Sequence, residues 1–273
     1  MFTYLDPTVR GRLIAQGVLR RIDRRGNALD PTQAPPDGEV AINILGPIPL
    51  PIHVGDTAAT VDWYAAVRST ELTKVEALAG ELREQGGQRL FSLLASSMAV
   101  NSVLVVGDAK RWREPLVRVH SSCLTGDVFG SERCECGPQL ASAVARIHGD
   151  PLGGMVVYMA GHEGRGIGLW AKAATYLLQD AGEDTYQANR SLGLPDDSRD
   201  FTDAGALIHH FAGARPIRLL TNNPKKVEDL HAAGIADIRP IKHVTGVSRW
   251  NRRYLAAKKD WGHQLADDDL NGA

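Results

Sequence analysis

Three closely spaced cysteines are the residues of this chain whose types and spacing most clearly predict chemistry. Cys123, Cys134 and Cys136 are its only cysteines, and they fall within fourteen residues. A disulfide framework uses an even number of cysteines in a small secreted domain, whereas three thiolates joined by a loop suit tetrahedral zinc. Structural zinc sites usually have four protein ligands, and catalytic sites leave one position for water or substrate. Three ligands therefore favour a hydrolytic zinc site over the alternative of three buried, unreactive thiols.

Four clusters of polar residues follow predicted strands or begin predicted helices, where backbone amides are free to bind ligands. The clusters are residues 118–122, 162–168, 191–201 and 219–227. In the first, Arg118 and His120 are two residues apart on a strand, so both side chains point to one face beside the cysteine loop. For each cluster, an ordinary exposed loop or a capped helix stays open as the alternative.

Two of these clusters have the residue types that bind a nucleotide. Glycines in the 162–168 turn let a ligand approach the backbone, and Arg165 near a helix start can hold phosphate. The neighbouring Glu163 offers a carboxylate that can accept hydrogen bonds from N1–H and the amino group of guanine. In the 219–227 cluster, Thr221, Lys226 and a helix that begins at Pro224 form a typical phosphate site.

These clusters require a scaffold in which strands alternate with helices. Apolar runs predict strands over residues 40–54, 101–107, 115–120, 154–160 and 217–221. Spacing and capping predict helices over residues 73–85, 139–148, 166–181 and 224–233. A proline-rich loop in residues 30–38 predicts a domain edge near Gly38. The whole pattern is typical of an α/β or a mixed α+β fold.

Charge and composition exclude some classes of partner. The chain has 31 basic and 32 acidic residues, a formal net charge of −1, so no global field favours nucleic acid or an anionic membrane. No apolar run approaches the ~20 residues that cross a bilayer, and the first residues do not form a signal peptide. We therefore expect a cytoplasmic protein, in which reducing conditions keep the three thiols available for metal.

Several motifs occur together in a fixed order: Arg118-Val-His-Ser, Cys123-Leu-Thr-Gly-Asp, Arg133-Cys-Glu-Cys-Gly, Glu163-Gly-Arg-Gly-Ile-Gly-Leu, Arg199-Asp-Phe and Leu220-Thr-Asn-Asn-Pro-Lys-Lys. In order and spacing they resemble GTP cyclohydrolase II, and the resemblance covers roughly residues 97–264. It implies an α/β (mixed α+β) catalytic domain at residues 91–273, with a mixed sheet flanked by helices. Residues 1–90 then form an N-terminal extension of unknown role. The resemblance also implies a homodimer.

The resemblance implies a role for individual residues. Cys123, Cys134 and Cys136 match the ligands of one zinc ion, which supplies the water that attacks C8 of guanine. Tyr176 matches a residue that orients this water, and Asp197 and Arg199 match the proposed base and the proposed partner of the α-phosphate. Because a protonated guanidinium has no free lone pair, the chemistry of Arg199 favours a phosphate clamp over a nucleophile. The positions matched to GTP binding are Arg118, Val119, His120, Ser121, Ser122, Gln139, Glu163, Gly164, Arg165, Thr185, Thr221 and Lys226. Mg²⁺ is expected with the triphosphate.

Two departures from the family pattern leave alternatives open. Counting back from Glu163 without a gap places Met159 where a tyrosine is usual, and Ser122 replaces a usual glutamate. A register with a one-residue gap would place Tyr158 there instead, but the ungapped register is simpler. Because Met159 cannot donate a hydrogen bond, we hypothesise that the reaction stops largely at the formamide, before formate is released. A second hypothesis is a paralogue that acts on another nucleotide, as in pyrimidine breakdown. A third is a non-catalytic nucleotide-binding module, in which His120 or His162 completes a structural zinc site.

Overall fold

A computed structural model describes residues 5–35, 40–70, 72 and 99–270 of the chain. Its described residues form a nine-stranded sheet in the order β2-β1-β3-β4-β5-β7-β6-β8-β9. The strands are β1 Leu19–Ile22, β2 Ala28–Leu29, β3 Ile42–Val54, β4 Thr57–Arg68, β5 Asn101–Val106, β6 Leu116–Ser121, β7 Gly154–Met159, β8 Ile217–Leu220 and β9 Ile238–Ile241. The five strands predicted from the sequence are confirmed as β3, β5, β6, β7 and β8.

The α-helices of the described residues follow or connect these strands. They are α1 Pro7–Ala15, α2 Cys136–His148, α3 Gly168–Asp180, α4 Thr185–Ser191, α5 Thr202–Ala212, α6 Pro224–Ala232, α7 Arg252–Asp260 and α8 Asp267–Leu270. Three of the four predicted helices are confirmed as α2, α3 and α6. The fourth, at residues 73–85, and the predicted domain edge near Gly38 lie outside the described residues. No helix that is described has the length and apolar character to cross a membrane.

The sheet is mixed, with a parallel half and an antiparallel half. Strands β7, β6, β8 and β9 run parallel, while β1 to β5 pair antiparallel and β5 joins the two halves by pairing with β7. This architecture is the mixed sheet flanked by helices that the sequence predicts. Strands from residues 19–68 and from residues 101–241 thus share one sheet. The division into an extension at 1–90 and a domain at 91–273 stays a prediction.

Apolar side chains form a separate core on each face of the parallel half. On one face, Met155, Val157 and Met159 of β7 pack with residues of α5 and α6. On the other face, Val156 packs with Ala143 and Ile147 of α2. This division follows from the alternation of side chains along a strand. Polar side chains collect at the carboxyl ends of β6 and β7, on the face of the sheet that α2 covers.

Candidate active site

The three cysteines converge at the junction between β6 and α2. Cys123 follows the end of β6 and Cys136 is the first residue of α2. The three sulfur atoms all lie within 4.8 Å of one another, and the Sγ atoms of Cys123 and Cys134 are 3.5 Å apart. Cys123 and Cys134 are buried, and Cys136 is half-buried. Hydrogen bonds from the other two thiols, together with the nearby Lys172 ammonium, lower the pKa of Cys123.

Two glycines make this arrangement possible. A Cβ added at Gly126 would lie 2.9 Å from Cys134 Sγ and 3.2 Å from Cys123 Sγ. One added at Gly137 would lie 2.3 Å from the carbonyl oxygen of Gly126. Any larger residue would therefore push the loop off the sulfur atoms. Three converging thiol groups within a loop that holds them this closely fit zinc, which prefers soft sulfur ligands.

The histidines considered as a fourth ligand have other partners. His120 Nε2 lies 3.1 Å from each carboxylate oxygen of Asp127. His162 Nδ1 lies 3.2 Å from Ser121 Oγ, and its Nε2 lies 3.0 Å from the carbonyl oxygen of Asp200. The metal-capable group found in the described part of the chain consists of the three cysteines. The arrangement therefore favours an open site over a closed structural one.

Asp127 holds the cysteine loop against the sheet. Its carboxylate accepts hydrogen bonds from the Cys123 amide at 3.0 Å, from Tyr158 Oη at 3.0 Å and from His120 Nε2. The His120 and Tyr158 rings are stacked, with their centroids 5.5 Å apart. In the sequence Asp127 is the last residue of the motif Cys123-Leu-Thr-Gly-Asp, and nothing in its spacing indicates that residues of β6 and β7 would contact it.

A cavity beside the cysteines is lined by most of the residues that the sequence predicts for the site. Besides the cysteines, these are Arg118, His120, Ser121, Ser122, Gln139, Glu163, Gly164, Arg165, Tyr176, Thr185, Arg199, Thr221 and Lys226. They come from β6, α2, α3, α4, the turn after β7, the turn after β8 and the segment before α5. The cavity therefore lies at the carboxyl ends of the parallel strands, as is usual in such sheets.

Three predicted site residues do not line this cavity. The Val119 carbonyl oxygen accepts a hydrogen bond from Lys226 Nζ at 2.8 Å, so this residue acts through its backbone. Asp197 makes two hydrogen bonds to the Arg199 guanidinium, at 2.9 and 2.6 Å, and thereby holds a residue that does line the cavity. Met159 is 3% exposed and packs in the core with Val119.

The position of Met159 corrects the interpretation that it replaces an active-site tyrosine. On β7, Met159 shares the core face with Val157, while Tyr158 points to the face of the cysteine loop and reaches Asp127. Counting back from Glu163 failed because β7 ends at Met159 and residues 160–166 form tight, partly left-handed turns. Met159 therefore contributes to the core, and the tyrosine hydroxyl at the end of β7 that reaches the cysteine loop is that of Tyr158.

Two buried cations give the cavity its charge. Arg118 is 6% exposed and Lys226 is 5% exposed, and among the described residues neither is paired with a carboxylate. Arg118 donates to the Leu220 carbonyl oxygen and to Gln139 Oε1, while Lys226 donates to a carbonyl oxygen. Burial lowers the pKa of Arg118 to about 10 and lowers that of Lys226 well below its usual value. Buried cations that form no ion pair are groups that a phosphate would stabilise.

The Glu163 carboxylate already receives three protein donors. Its Oε2 accepts from the Leu124 amide at 2.7 Å, and its Oε1 accepts from Lys172 Nζ at 2.6 Å and from the Gly164 amide at 3.2 Å. A carboxylate offers about four lone-pair positions, so capacity for a ligand remains. Arg165, two residues after Glu163, has a left-handed φ of 62°, and its guanidinium lies 3.9 Å from the centre of the Tyr186 ring.

Sequence reasoning assigned no role to several residues that line the cavity. They include Lys172, Glu135, Tyr254, Lys258 and His263. Lys172 precedes Tyr176 by one helical turn, and this spacing is a signal that both share a face of α3. The pairing of Glu135 with Lys258 joins residues 123 positions apart and has no local signal.

Comparison with known proteins gives the family. The family model for GTP cyclohydrolase II matches residues 89–239, more than half of the chain. The chain belongs to the GTP cyclohydrolase II family. This segment contains the three cysteines and the predicted site residues, while Tyr254, Lys258 and His263 of the cavity follow it.

Three curated relatives of this GTP cyclohydrolase II family member have the name riboflavin biosynthesis protein RibBA. The protein from Mycolicibacterium paratuberculosis is 54% identical over 191 residues, 70% of this chain and 44% of the relative. That from Mycobacterium avium is 53% identical over 191 residues, with the same coverage of 70% and 44%. That from Nocardia farcinica is 49% identical over 170 residues, 62% of this chain and 41% of the relative. The chain thus spans less than half the length of these relatives.

Proposed function

We propose that this chain hydrolyses GTP as a riboflavin-pathway GTP cyclohydrolase II. The reaction opens the guanine imidazole ring at C8 and releases pyrophosphate and formate, giving 2,5-diamino-6-ribosylamino-4(3H)-pyrimidinone 5′-phosphate. The observation that carries this proposal is one cavity that holds both a set of three thiols and the buried cations Arg118 and Lys226. Such a cavity can bind the polyphosphate of a small molecule and place the rest of that molecule beside a metal ion.

The thiol groups of Cys123, Cys134 and Cys136 would hold one zinc ion. When bound, zinc supplies an activated water for attack on C8 and polarises the groups that develop charge. Tyr176, whose Oη lies 3.0 Å from Thr125 Oγ1, would orient the reacting groups from α3. Burial raises the pKa of Tyr176, so its hydroxyl keeps its proton and can act as a donor.

The base and the phosphates would be bound by different sides of the cavity. Gln139 and Glu163 would form hydrogen bonds with the edge of the guanine base, in which the Glu163 carboxylate accepts. Arg165, Thr221 and Lys226 would hold phosphate oxygens, the last of them from the first turn of α6. Mg²⁺ would accompany the triphosphate and neutralise its β and γ oxygens, because magnesium binds phosphates and water in preference to an all-protein cage.

Arg199 would clamp the α-phosphate, and Asp197, which matches the proposed base, would act through Arg199 because it does not line the cavity. Burial opposes ionisation of Asp197, but the hydrogen bonds from Arg199 prevail and lower its pKa. The carboxylate is therefore ionised and pairs with the Arg199 guanidinium. Arg199 also donates to Ser121 Oγ at 3.3 Å, which fixes its guanidinium beside the end of β6. A fixed, permanently charged fork suits a phosphate clamp.

We further propose that the chain forms a homodimer in the cytoplasm. Trp170 and Leu177 of α3 are 90% and 73% exposed, and they lie seven residues apart on one helix face. Phe129, in the cysteine loop, is 70% exposed. Apolar side chains of this size on one surface are typical of a protein interface. A second copy would cover them at the back of the helix that projects Tyr176 into the cavity.

A substrate panel tests the function. Zinc-loaded protein is incubated with Mg²⁺ and GTP, ATP, UTP or UMP, and pyrophosphate, formate and the ultraviolet spectrum are followed. The proposal predicts that only GTP loses the purine spectrum and yields both products. Turnover of UTP or UMP would favour the paralogue hypothesis, which Ser122 motivates. Binding of nucleotides without turnover would favour the non-catalytic module.

A further inference from the structure

Lys172 joins the thiol cluster to the residue proposed to bind the base. It lies on α3, is 7% exposed, and its Nζ is 3.1 Å from Cys123 Sγ and 2.6 Å from Glu163 Oε1. A buried ammonium is costly unless charged or polar partners compensate it. Its contact with a sulfur atom therefore calls for an explanation beyond helix packing.

The charges around the sulfur atoms provide that explanation. Three thiolates and one divalent zinc ion leave a net negative charge, and Glu163 adds a second negative charge beside it. Lys172 donates to both groups from one position. Within the described residues, its ammonium is the cation that lies within hydrogen-bond distance of a cysteine sulfur. A hydrogen bond to a thiolate withdraws electron density from the sulfur and so changes the ligand that the metal receives.

The local structure fixes Lys172 in this place. Tyr176 follows it by one helical turn and contacts Thr125 of the cysteine loop, so two consecutive turns of α3 face the loop. A Cβ added at Gly164, whose φ is 60°, would lie 3.1 Å from Lys172 Cβ, so the turn after β7 packs directly on the lysine stem. Glu163 in turn accepts from the Leu124 amide. The contacts close a ring through Cys123, Leu124, Glu163 and Lys172.

We propose that Lys172 is a positioning residue that neutralises the Cys123 thiolate and holds Glu163, and that it thereby couples the metal site to the base-binding site. The inference rests on the proposed zinc site. It predicts two separable effects when the ammonium is removed. The electronic state of the metal–thiolate bond changes, and the alignment of GTP weakens because Glu163 loses its strongest donor.

Cobalt substitution tests the first effect without reference to turnover. The Co²⁺-loaded protein, Lys172→Met and Lys172→Arg are compared by their thiolate-to-cobalt charge-transfer absorption, and zinc affinity is measured by chelator competition. For Lys172→Met we expect the band to move to longer wavelength and zinc affinity to fall about 10–100-fold. Lys172→Arg keeps the cation and should retain most of the native spectrum. Lys226→Met removes another buried lysine that lines the cavity but contacts no cysteine, and its band should stay in place.

Kinetics test the second effect. Lys172→Met should lower kcat and raise KM for GTP, whereas Lys226→Met should act mainly on KM. If Lys172→Met does not fold, as judged by circular dichroism, Lys172→Gln takes its place. An unchanged charge-transfer band in the folded neutral variant, or no thiolate-to-cobalt band in the native protein, would overturn the inference. A native protein that lacks GTP turnover but shows the band shift would refute the proposed function and leave the role of Lys172 intact.

Discussion

The Tyr158 hydroxyl donates a 3.0 Å hydrogen bond to Asp127, the carboxylate that also receives the Cys123 amide. This contact links the sheet to the first thiol residue. Burial, and then the negative charge of Asp127, raise the pKa of Tyr158 above its usual range, so the phenol stays protonated and able to donate. A tyrosine therefore supports the metal loop from β7, on the face opposite to Met159.

This relationship changes the expected product. Because the Tyr158 hydroxyl reaches the cysteine loop, we expect formate and pyrophosphate in equal amounts from the native protein. Tyr158→Phe removes a hydrogen bond to a charged group, a loss of about 1.5–3 kcal/mol, and should slow both products by at least tenfold. Met159→Leu is the matched control, since its side chain stays in the core. The product ratio is measured by formate and pyrophosphate assays, and accumulation of the formamide in the native protein would contradict this account.

The error over Met159 shows which part of the site could be predicted. The alternation of β6 correctly placed Arg118 and His120 on one face, because both residues lie within the same strand. Met159 and Glu163 belong to different elements, and the tight turns between them do not preserve the alternation of a strand. Sequence spacing is therefore reliable inside an element and fails across an irregular turn.

Buried lysines mark a second limit of sequence reasoning. Lys172 is buried and Lys258 is half-buried, and the partners of both come from distant segments. The predicted phosphate-binding motif around Thr221 and Lys226 could be recognised in the sequence, because its strand, its hydroxyl residue and its helix beginning at proline are consecutive. Local motifs could be recognised, whereas charge pairing across the cavity required the fold.

Glu163 should determine the preference for guanine. Glu163→Gln removes an acceptor from the proposed base edge, whereas Lys226→Ala removes a phosphate contact common to all triphosphates. We expect the ratio of kcat/KM for GTP over ATP to fall by about tenfold or more in the first variant and little in the second. Equal losses for GTP and ATP in Glu163→Gln would show that this carboxylate only positions the loop.

The Tyr186 ring should keep Arg165 in position for phosphate. The guanidinium lies 3.9 Å from the ring centre, and a buried cation–π contact contributes about 1–2 kcal/mol. Tyr186→Leu should raise KM for GTP about 5–30-fold with a smaller change in kcat. Trp250→Leu, which alters an exposed ring stacked under Arg249, is the control and should leave KM unchanged. Similar KM values for GTP in the two variants would contradict the proposal that Arg165 binds phosphate.

His243 should make the fold sensitive to mild acid. Its Nε2–H donates to the Gln139 carbonyl oxygen at 2.9 Å, and its Nδ1 accepts from Arg146 at 3.2 Å, so the ring is held neutral. Burial, followed by the charge of Arg118, lowers its pKa to about 4 from 6.5. Between pH 6.5 and pH 4, His243 therefore binds a proton in the unfolded chain and stays neutral in the folded chain. The contribution of His243 to the free energy of unfolding is therefore fully present above pH 6.5, and it is lost as the pH falls toward 4.

The expected slope from this histidine is at most about 1.4 kcal/mol for each pH unit. Denaturant unfolding at pH 7.5, 6.0 and 5.0 measures it for the native protein and for His243→Gln, which cannot take up the proton. The free-energy difference between the two should shrink as the pH falls. Parallel curves would show that His243 does not carry the acid sensitivity.

The fate of the C8 carbon tests the central claim most directly. Zinc-loaded protein with Mg²⁺ and [8-¹³C]GTP is followed by ¹³C NMR, with Cys134→Ser as the variant that lacks one thiol ligand. The account predicts that the label leaves as formate in proportion to pyrophosphate, and that Cys134→Ser loses both zinc and turnover. A label that stays in the purine ring, or full turnover by Cys134→Ser without bound zinc, would contradict it.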